Sequence, residues 1–210
     1  MEPISTVVSN ACPIDINDVD TDLVIPKKYL KSILRTGYGP HAFAERRFLD
    51  DGTPDPSWPM NKPEHEGAEI LLSGRNFGCG SSREHAAWAI KECGYRIVIA
   101  ESFADIFRLN CAQNGMLAVQ LPENIIRHLF ELVGKDPATQ VTVDLEQQRV
   151  TVPAAEGREG VDAHFDIDES TKFRLLNGLD AIDITLQHAD DIAAYEARRP
   201  AHKPRTPLPA

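Results

Sequence analysis

The sequence predicts an α/β fold with a mixed, partly parallel sheet, and three features of its 210 residues carry that prediction. Short apolar runs alternate with helix-period segments between residues 69 and 134, the order that parallel strands and crossover helices require. Two β-branched runs at 141–145 and 149–152 flank Glu146, Gln147 and Gln148 in the manner of a hairpin. A composition of 42% hydrophobic and 26% charged residues is that of a globular chain able to close a core.

The elements follow in order. The run Ile4 to Val8 opens a stretch, residues 4–49, that reads as mixed strand and short helix. From Asp50 to Gly67 the periodicity disappears and Pro54, Pro56, Pro59 and Pro63 occur. The missing N–H donors forbid a regular helix or central strand, so a long loop or lid is expected. Residues 69–73 form a short apolar strand, followed by a glycine-rich turn and a helix through 85–90 that ends near Gly94. Residues 96–100 are a second buried-type strand. Ser102 with Asp105 makes a capping-box start for a helix reaching Asn114 and Gly115. Residues 117–121 are a third strand, and Pro122 opens another helix at N1, to about Gly134. A helix at 168–178 stops at Asn177 and Gly178, and residues 190–199 form a last short helix. No internal repeat is present. Residues 1–197 read as a single domain, while 198–210, with four basic residues, four prolines and no acid, read as a disordered tail.

The net charge of −10 repels phosphate backbones and argues against a nucleic-acid partner. Nowhere do about 18 apolar residues run together, so no membrane span is expected. The first residues carry neither a basic region nor an apolar stretch, which predicts a cytoplasmic protein without a signal peptide. Cys12, Cys79, Cys93 and Cys111 form no C-x-x-C pair. That spacing argues against zinc or an iron–sulfur cluster held by this chain alone, and reduced thiols are expected.

Chemistry concentrates in residues 74–85, GRNFGCGSSREH, between a strand and a helix, where backbone N–H groups and the helix dipole face an anion. Gly78 and Gly80 let the backbone approach a ligand, Ser81 and Ser82 offer hydroxyls, and Arg83, with Arg75, offers a guanidinium to a carboxylate or phosphate. The segment is neither a Walker loop nor a G-x-S-x-G elbow. A small carboxylate fits best. The competing structural reading is a capping box from Ser81 to Glu84, with Arg83 merely solvated. A cation is disfavoured at a helix N-terminus, and that favours the anion site. His85 stands beside the loop as a residue to orient it. Residues 15–22 suggest a cation loop, but Leu23 and Tyr29 occupy positions where calcium loops need glycine and glutamate, so a turn with local Asx bonds is expected. Arg35 to Gly39 follow an amphipathic stretch and also fit a helix stop. The remaining histidines lack ligand spacing.

The segment GRNFGCGSSREHA, residues 74–86, resembles a signature of the aconitase superfamily swivel domain. NDVDTDLVIPKKYL (17–30), RTGYG (35–39), ESFADIF (101–107) and NGLDAIDITLQHADDIAAYEA (177–197) resemble the family of bacterial 3-isopropylmalate dehydratase small subunits. The resemblance implies a swivelling domain of β/β/α layers that docks on a large subunit, and that partner holds a 4Fe–4S cluster. It implies a hydro-lyase of leucine biosynthesis that interconverts 2- and 3-isopropylmalate, dicarboxylates, by dehydration and rehydration. On the family motif Ser81 is the base and Arg83 holds a substrate carboxylate. Ser82, Arg35, Thr36 and Gly37 join as substrate-binding residues, and Gly78, Cys79, Gly80 and His85 shape the site. One departure stands out: larger single-chain relatives place a further carboxylate-binding arginine near the segment aligned with Cys12–Ile14, whereas no Lys or Arg precedes Lys27 here. Arg35 is the expected replacement. Two other readings compete, a paralogous hydro-lyase acting on citramalate or dimethylmalate and a non-catalytic carboxylate-binding or regulatory module.

Overall fold

The computed structural model describes residues 1–31, 34–200 and 202–203. The disordered tail expected at 198–210 falls largely outside the described residues. In chain order the first half holds β1 (Thr6–Ser9), β2 (Ala11–Ile14), α1 (Thr21–Val24), α2 (Ala44–Arg47), β3 (Ile70–Ser73), α3 (Glu84–Glu92) and β4 (Ile97–Ala100). The second half holds α4 (Asp105–Gln113), β5 (Leu117–Gln120), α5 (Glu123–Lys135), β6 (Val141–Asp144), β7 (Arg149–Val152), β8 (Val161–His164), α6 (Glu169–Asn177), α7 (Ala181–Leu186) and α8 (Ala189–Ala197).

Parallel and antiparallel pairing are divided between two sheets. One runs β2-β3-β4-β5 with every pair parallel, and the other runs β1-β6-β7-β8 with every pair antiparallel. Burial patterns explain the division. β3 and β4 are buried along their whole length, as strands covered on both faces must be, while β6, β7 and β8 alternate between core and surface. Pro13 sits in β2, the edge of the parallel sheet, where its missing N–H breaks no ladder between two neighbours.

The two faces of the parallel sheet enter different cores. Ile70, Leu72, Ile97, Ile99, Leu117 and Val119 meet the inner face of the antiparallel sheet and the apolar stripe of α5, with Ile126, Leu129, Leu132 and Val133. Leu71, Val98 and Ala118 point the other way, onto Ala86, Ala87 and Ile90 of α3 and Phe107 and Cys111 of α4. The layers are therefore sheet, sheet and helices, with α5 lodged between the sheets.

Several helix ends differ from expectation. Ser102 does not cap α4: Ala104 holds the N-cap position, and the Ser102 hydroxyl instead accepts the Asn76 backbone N–H at 2.8 Å. Pro122 is the N-cap of α5 rather than its first helical residue, one position from expectation. α6 ends as its sequence signals, with Gly178 in the left-handed region at φ 65°. β8 and α7 are additions to the expected elements; α7 is started by a capping box between Asp180 and Asp183. Residues 50–67 contain no long helix or central strand. Pro59 and Pro63 each begin a single 3₁₀ turn, Trp58 packs on Phe43 with ring centroids 5.6 Å apart, and the Asn61 amide donates to the carbonyls of Arg47 and Asp55 at 2.6 and 2.9 Å. Among the described residues no helix is long and apolar enough to cross a membrane.

Candidate functional site

The glycine-rich loop between β3 and α3 is held from two sides. On one, the segment after β2 grips it: Gly78 N–H donates to the Val19 carbonyl at 2.7 Å, Thr21 N–H to the Cys79 carbonyl at 2.9 Å, and the Thr21 hydroxyl to the Ser81 carbonyl at 2.7 Å. On the other, the segment after β4 grips it: Phe77 N–H donates to the Ser102 carbonyl at 2.9 Å, and Ala104 N–H to the Phe77 carbonyl at 3.0 Å. Gly78 and Gly80 both lie at positive φ, 76° and 83°. At Gly78 space is decisive as well, since a Cβ there would lie 2.1 Å from Cγ of Phe107. No other residue type lets the loop cross that ring.

These contacts bound a cleft of 220 Å³. Gly78, Gly80, Ser81, Ser82 and Arg83 form one wall with Thr21; Asp105, Ile106, Phe107 and Asn110 of α4 form the other. Ser81 is exposed into it, and its hydroxyl has no hydrogen-bond partner among the described residues. The capping-box reading of Ser81 fails. Arg83 occupies the N-cap of α3 and makes no side-chain cap bond, while Glu84 instead accepts the Asn114 amide at 3.0 Å. The first N–H groups of α3 are thus left without a side-chain cap beside the cleft, which favours an anion there. Arg83 is largely buried, with a side chain 14% exposed, and pairs with Asp22. Asp22 fixes the guanidinium and offsets part of its charge; the cleft field is what remains together with the helix end.

The structure separates the remaining expected site residues into two groups. Cys79 sits within the loop, where burial first, and then the Asp20 and Asp18 charges, push its thiol up. Arg75 turns outward to Asp18 at 3.6 Å and does not line the cleft. Arg35, Thr36 and Gly37 are exposed and do not line the cleft either; Arg35 lies 5.9 Å from the Trp88 ring of α3. His85 meets Tyr38 and Trp88 with centroids 5.1 and 4.8 Å away, so it touches the segment after Arg35 rather than Ser81.

Sequence reasoning missed Thr21, Asp22 and Asn110. The acid-rich run 15–22 does contain the expected Asx bond, from Leu23 N–H to Asp20 at 2.7 Å, but it also brings Asp22 to Arg83. No local pattern linked Asp22 to Arg83, which lies about sixty residues further along the chain. Asn110, buried at the middle of α4 and facing the cleft, had no sequence signal beyond being a polar residue on an apolar stripe.

Two of the four thiols are poorly placed to serve as cluster ligands. Cys12 and Cys111 are fully buried, and burial pushes the Cys12 thiol up to about 11. All four cysteines are free, and among the described residues no three His, Cys, Asp or Glu side chains gather closely enough to share a metal ion.

An uncapped helix start, an unpartnered serine hydroxyl and a held arginine gather around one cleft at the end of the parallel sheet of an α/β fold. The family model described as the aconitase C-terminal domain matches residues 1–124, and the one described as LeuD_N matches 127–169. A third, for the C-terminal domain of the 3-isopropylmalate dehydratase small subunit, matches 182–207. The 3-isopropylmalate dehydratase small subunit of Rubrobacter xylanophilus is 49% identical over 98% of this chain and 99% of its own length. That of Neisseria meningitidis serogroup C is 46% identical over 97% of this chain and 98% of its own. The crystal structure of a 3-isopropylmalate dehydratase from Methanocaldococcus jannaschii superposes with a TM-score of 0.63 at 25% identity, covering 91% of this chain and 99% of that one. The chain belongs to the family of 3-isopropylmalate dehydratase small subunits, within the aconitase-type α/β domains.

Proposed function

We propose that this chain is the cytoplasmic small subunit of an isopropylmalate isomerase and completes its active site with a cluster-bearing large subunit. The reaction is the interconversion of 2- and 3-isopropylmalate through dehydration and rehydration. The observation that carries the reading is the pairing of Ser81, exposed and unpartnered, with Arg83 and the uncapped start of α3, in a chain nearly half identical to such subunits over its full length.

Each residue then has a role that its surroundings support. Arg83 holds one substrate carboxylate, its orientation set by Asp22. Ser81 Oγ, in its alkoxide form, accepts the proton from the carbon beside a carboxylate. The C–H electron pair becomes the double bond as the hydroxyl leaves the neighbouring carbon, and the reverse addition returns the proton at the other position. A serine is a poor base unless its oxyanion is stabilised. Arg83 and the N–H groups at the start of α3 are fixed dipoles and charge of the required sign, in place before the reaction begins. The large subunit's 4Fe–4S cluster would supply a Lewis acid for the departing hydroxyl. Ser82 and the Arg35–Gly37 segment contact the rest of the substrate.

The test is an anaerobic co-purification of the tagged chain from its native host, followed by a visible spectrum and a 3-isopropylmalate assay. The expected result is a brown complex with a larger protein that isomerises 3-isopropylmalate faster than citramalate or dimethylmalate. A colourless chain without a partner, prepared with the cluster protected from oxygen, overturns the reading in favour of a binding module.

A further inference from the structure

His85, Trp88 and Glu92 fall at i, i+3 and i+7 of α3 and so form one stripe of that helix. Residues 34–39 lie along it. Tyr38, only 2% exposed, sets its ring against His85 and Trp88 with centroids 5.1 and 5.7 Å away, and its hydroxyl donates to the Leu34 carbonyl at 2.9 Å. At the end of the stripe three consecutive backbone N–H groups converge on one carboxylate. Glu92 accepts from Gly37 at 2.9 and 3.0 Å through its two oxygens, from Tyr38 at 2.6 Å and from Gly39 at 2.7 Å. The loop backbone rests directly on the helix: a Cβ at Gly39 would lie 2.8 Å from Cβ of Glu92.

A carboxylate is unfavourable in the last turn of a helix, where the dipole is negative. Glu92 is the final residue of α3, so the helix itself gives no reason for its charge. The loop amides do. Successive N–H groups form a concavity that binds anions, and charge-assisted bonds of this kind are about twice as strong as neutral ones.

We propose that Glu92 is a positioning residue for substrate recognition. It holds the backbone of Gly37–Gly39, directly after Arg35 and Thr36, on the same helix whose other end follows Ser81 and is capped by Arg83, so that one rigid element sets the spacing between the two groups of substrate contacts. The inference rests on residues 35–37 being substrate-binding, as proposed above.

The test uses the full chain assembled with its large subunit. Glu92→Ala is expected to raise KM for 3-isopropylmalate about three- to tenfold while kcat changes less than threefold, and to speed hydrogen exchange in the peptide spanning 34–39. Glu92→Gln, which keeps an acceptor oxygen but loses the charge, is expected to fall between; it carries the same KM test should the alanine variant fail to assemble. In an Arg35→Ala background Glu92→Ala is expected to add less than twofold to KM, because the one charged contact of the segment it positions is gone. An unchanged KM in both Glu92 variants overturns the inference, as does an undiminished effect in the Arg35→Ala background. Ser81→Ala separates the two levels. If it is inactive while the Glu92 variants are normal, only the Glu92 inference falls; if it is fully active, the reading of the whole site falls.

Discussion

The antiparallel and parallel sheets each have four strands of four residues, yet only the parallel one feeds the cleft. Thr21 follows β2, Gly78 to Arg83 follow β3, and Ala104 to Asn110 follow β4. In a parallel sheet all strand C-termini lie at one edge, so the segments leaving them converge, and ligands bind there. In the antiparallel sheet the strand directions alternate and the connections split between two edges. β1, β6, β7 and β8 contribute no residue to the cleft wall; their apolar faces close the core behind it. Sheet direction thus decides which half can gather chemistry.

The most direct way to break that division is at the cleft. Ser81→Ala is expected to lower kcat of the assembled enzyme by about 10²–10⁴, the usual scale for removing a general base, with KM within a few-fold of wild type. Steady-state rates on 3-isopropylmalate check this. The next effect tests the other half. Leu129, 1% exposed on α5, is wedged between the two sheets. Leu129→Ala is expected to cost about 2–5 kcal/mol of stability by leaving a cavity. Denaturant unfolding measures that cost, while kcat and KM of the folded fraction stay at wild-type values. A change in KM would show that the rear core reaches the site and that the division is not clean.

The same division governs what could be read in the sequence. The parallel half was legible because β3 and β4 are unbroken apolar runs with glycine and helix signals between them, all local features. The glycine-rich loop was legible for the same reason. That the parallel and antiparallel pairings form separate sheets was not legible: β1 pairs with β6, so Thr6 faces Asp144, and no local pattern encodes so distant a partner. β8 was missed because its alternation runs over four residues with two apolar positions, too short to stand out from the flanking loops. Ser102 misled because a serine three residues before an acid is equally able to take a donor from elsewhere, and here the Asn76 N–H arrives first. The far wall of the cleft, with Asn110, and the Asp22 clamp on Arg83 depend on packing between segments, which only the folded chain reveals.

The smallest expected effect sharpens the comparison inside the parallel half, between residues that line the cleft and residues held beside it. Arg35 belongs to the second group: it is exposed, lies 5.9 Å from the Trp88 ring and contacts no part of the Ser81 wall. A cation in that position can attract and orient a dicarboxylate but cannot touch the proton that Ser81 is proposed to move. Uniform binding of ground and transition states changes KM and leaves kcat. Arg35→Ala is therefore expected to raise KM for 3-isopropylmalate about three- to tenfold with kcat nearly unchanged, and Arg35→Lys to recover part of that loss through charge alone. An unchanged KM would remove Arg35 from the substrate's path and leave Arg83 as this chain's carboxylate contact. A fall in kcat equal to that of Ser81→Ala would place Arg35 at the reacting carbon, and the distinction between lining and flanking residues would no longer hold.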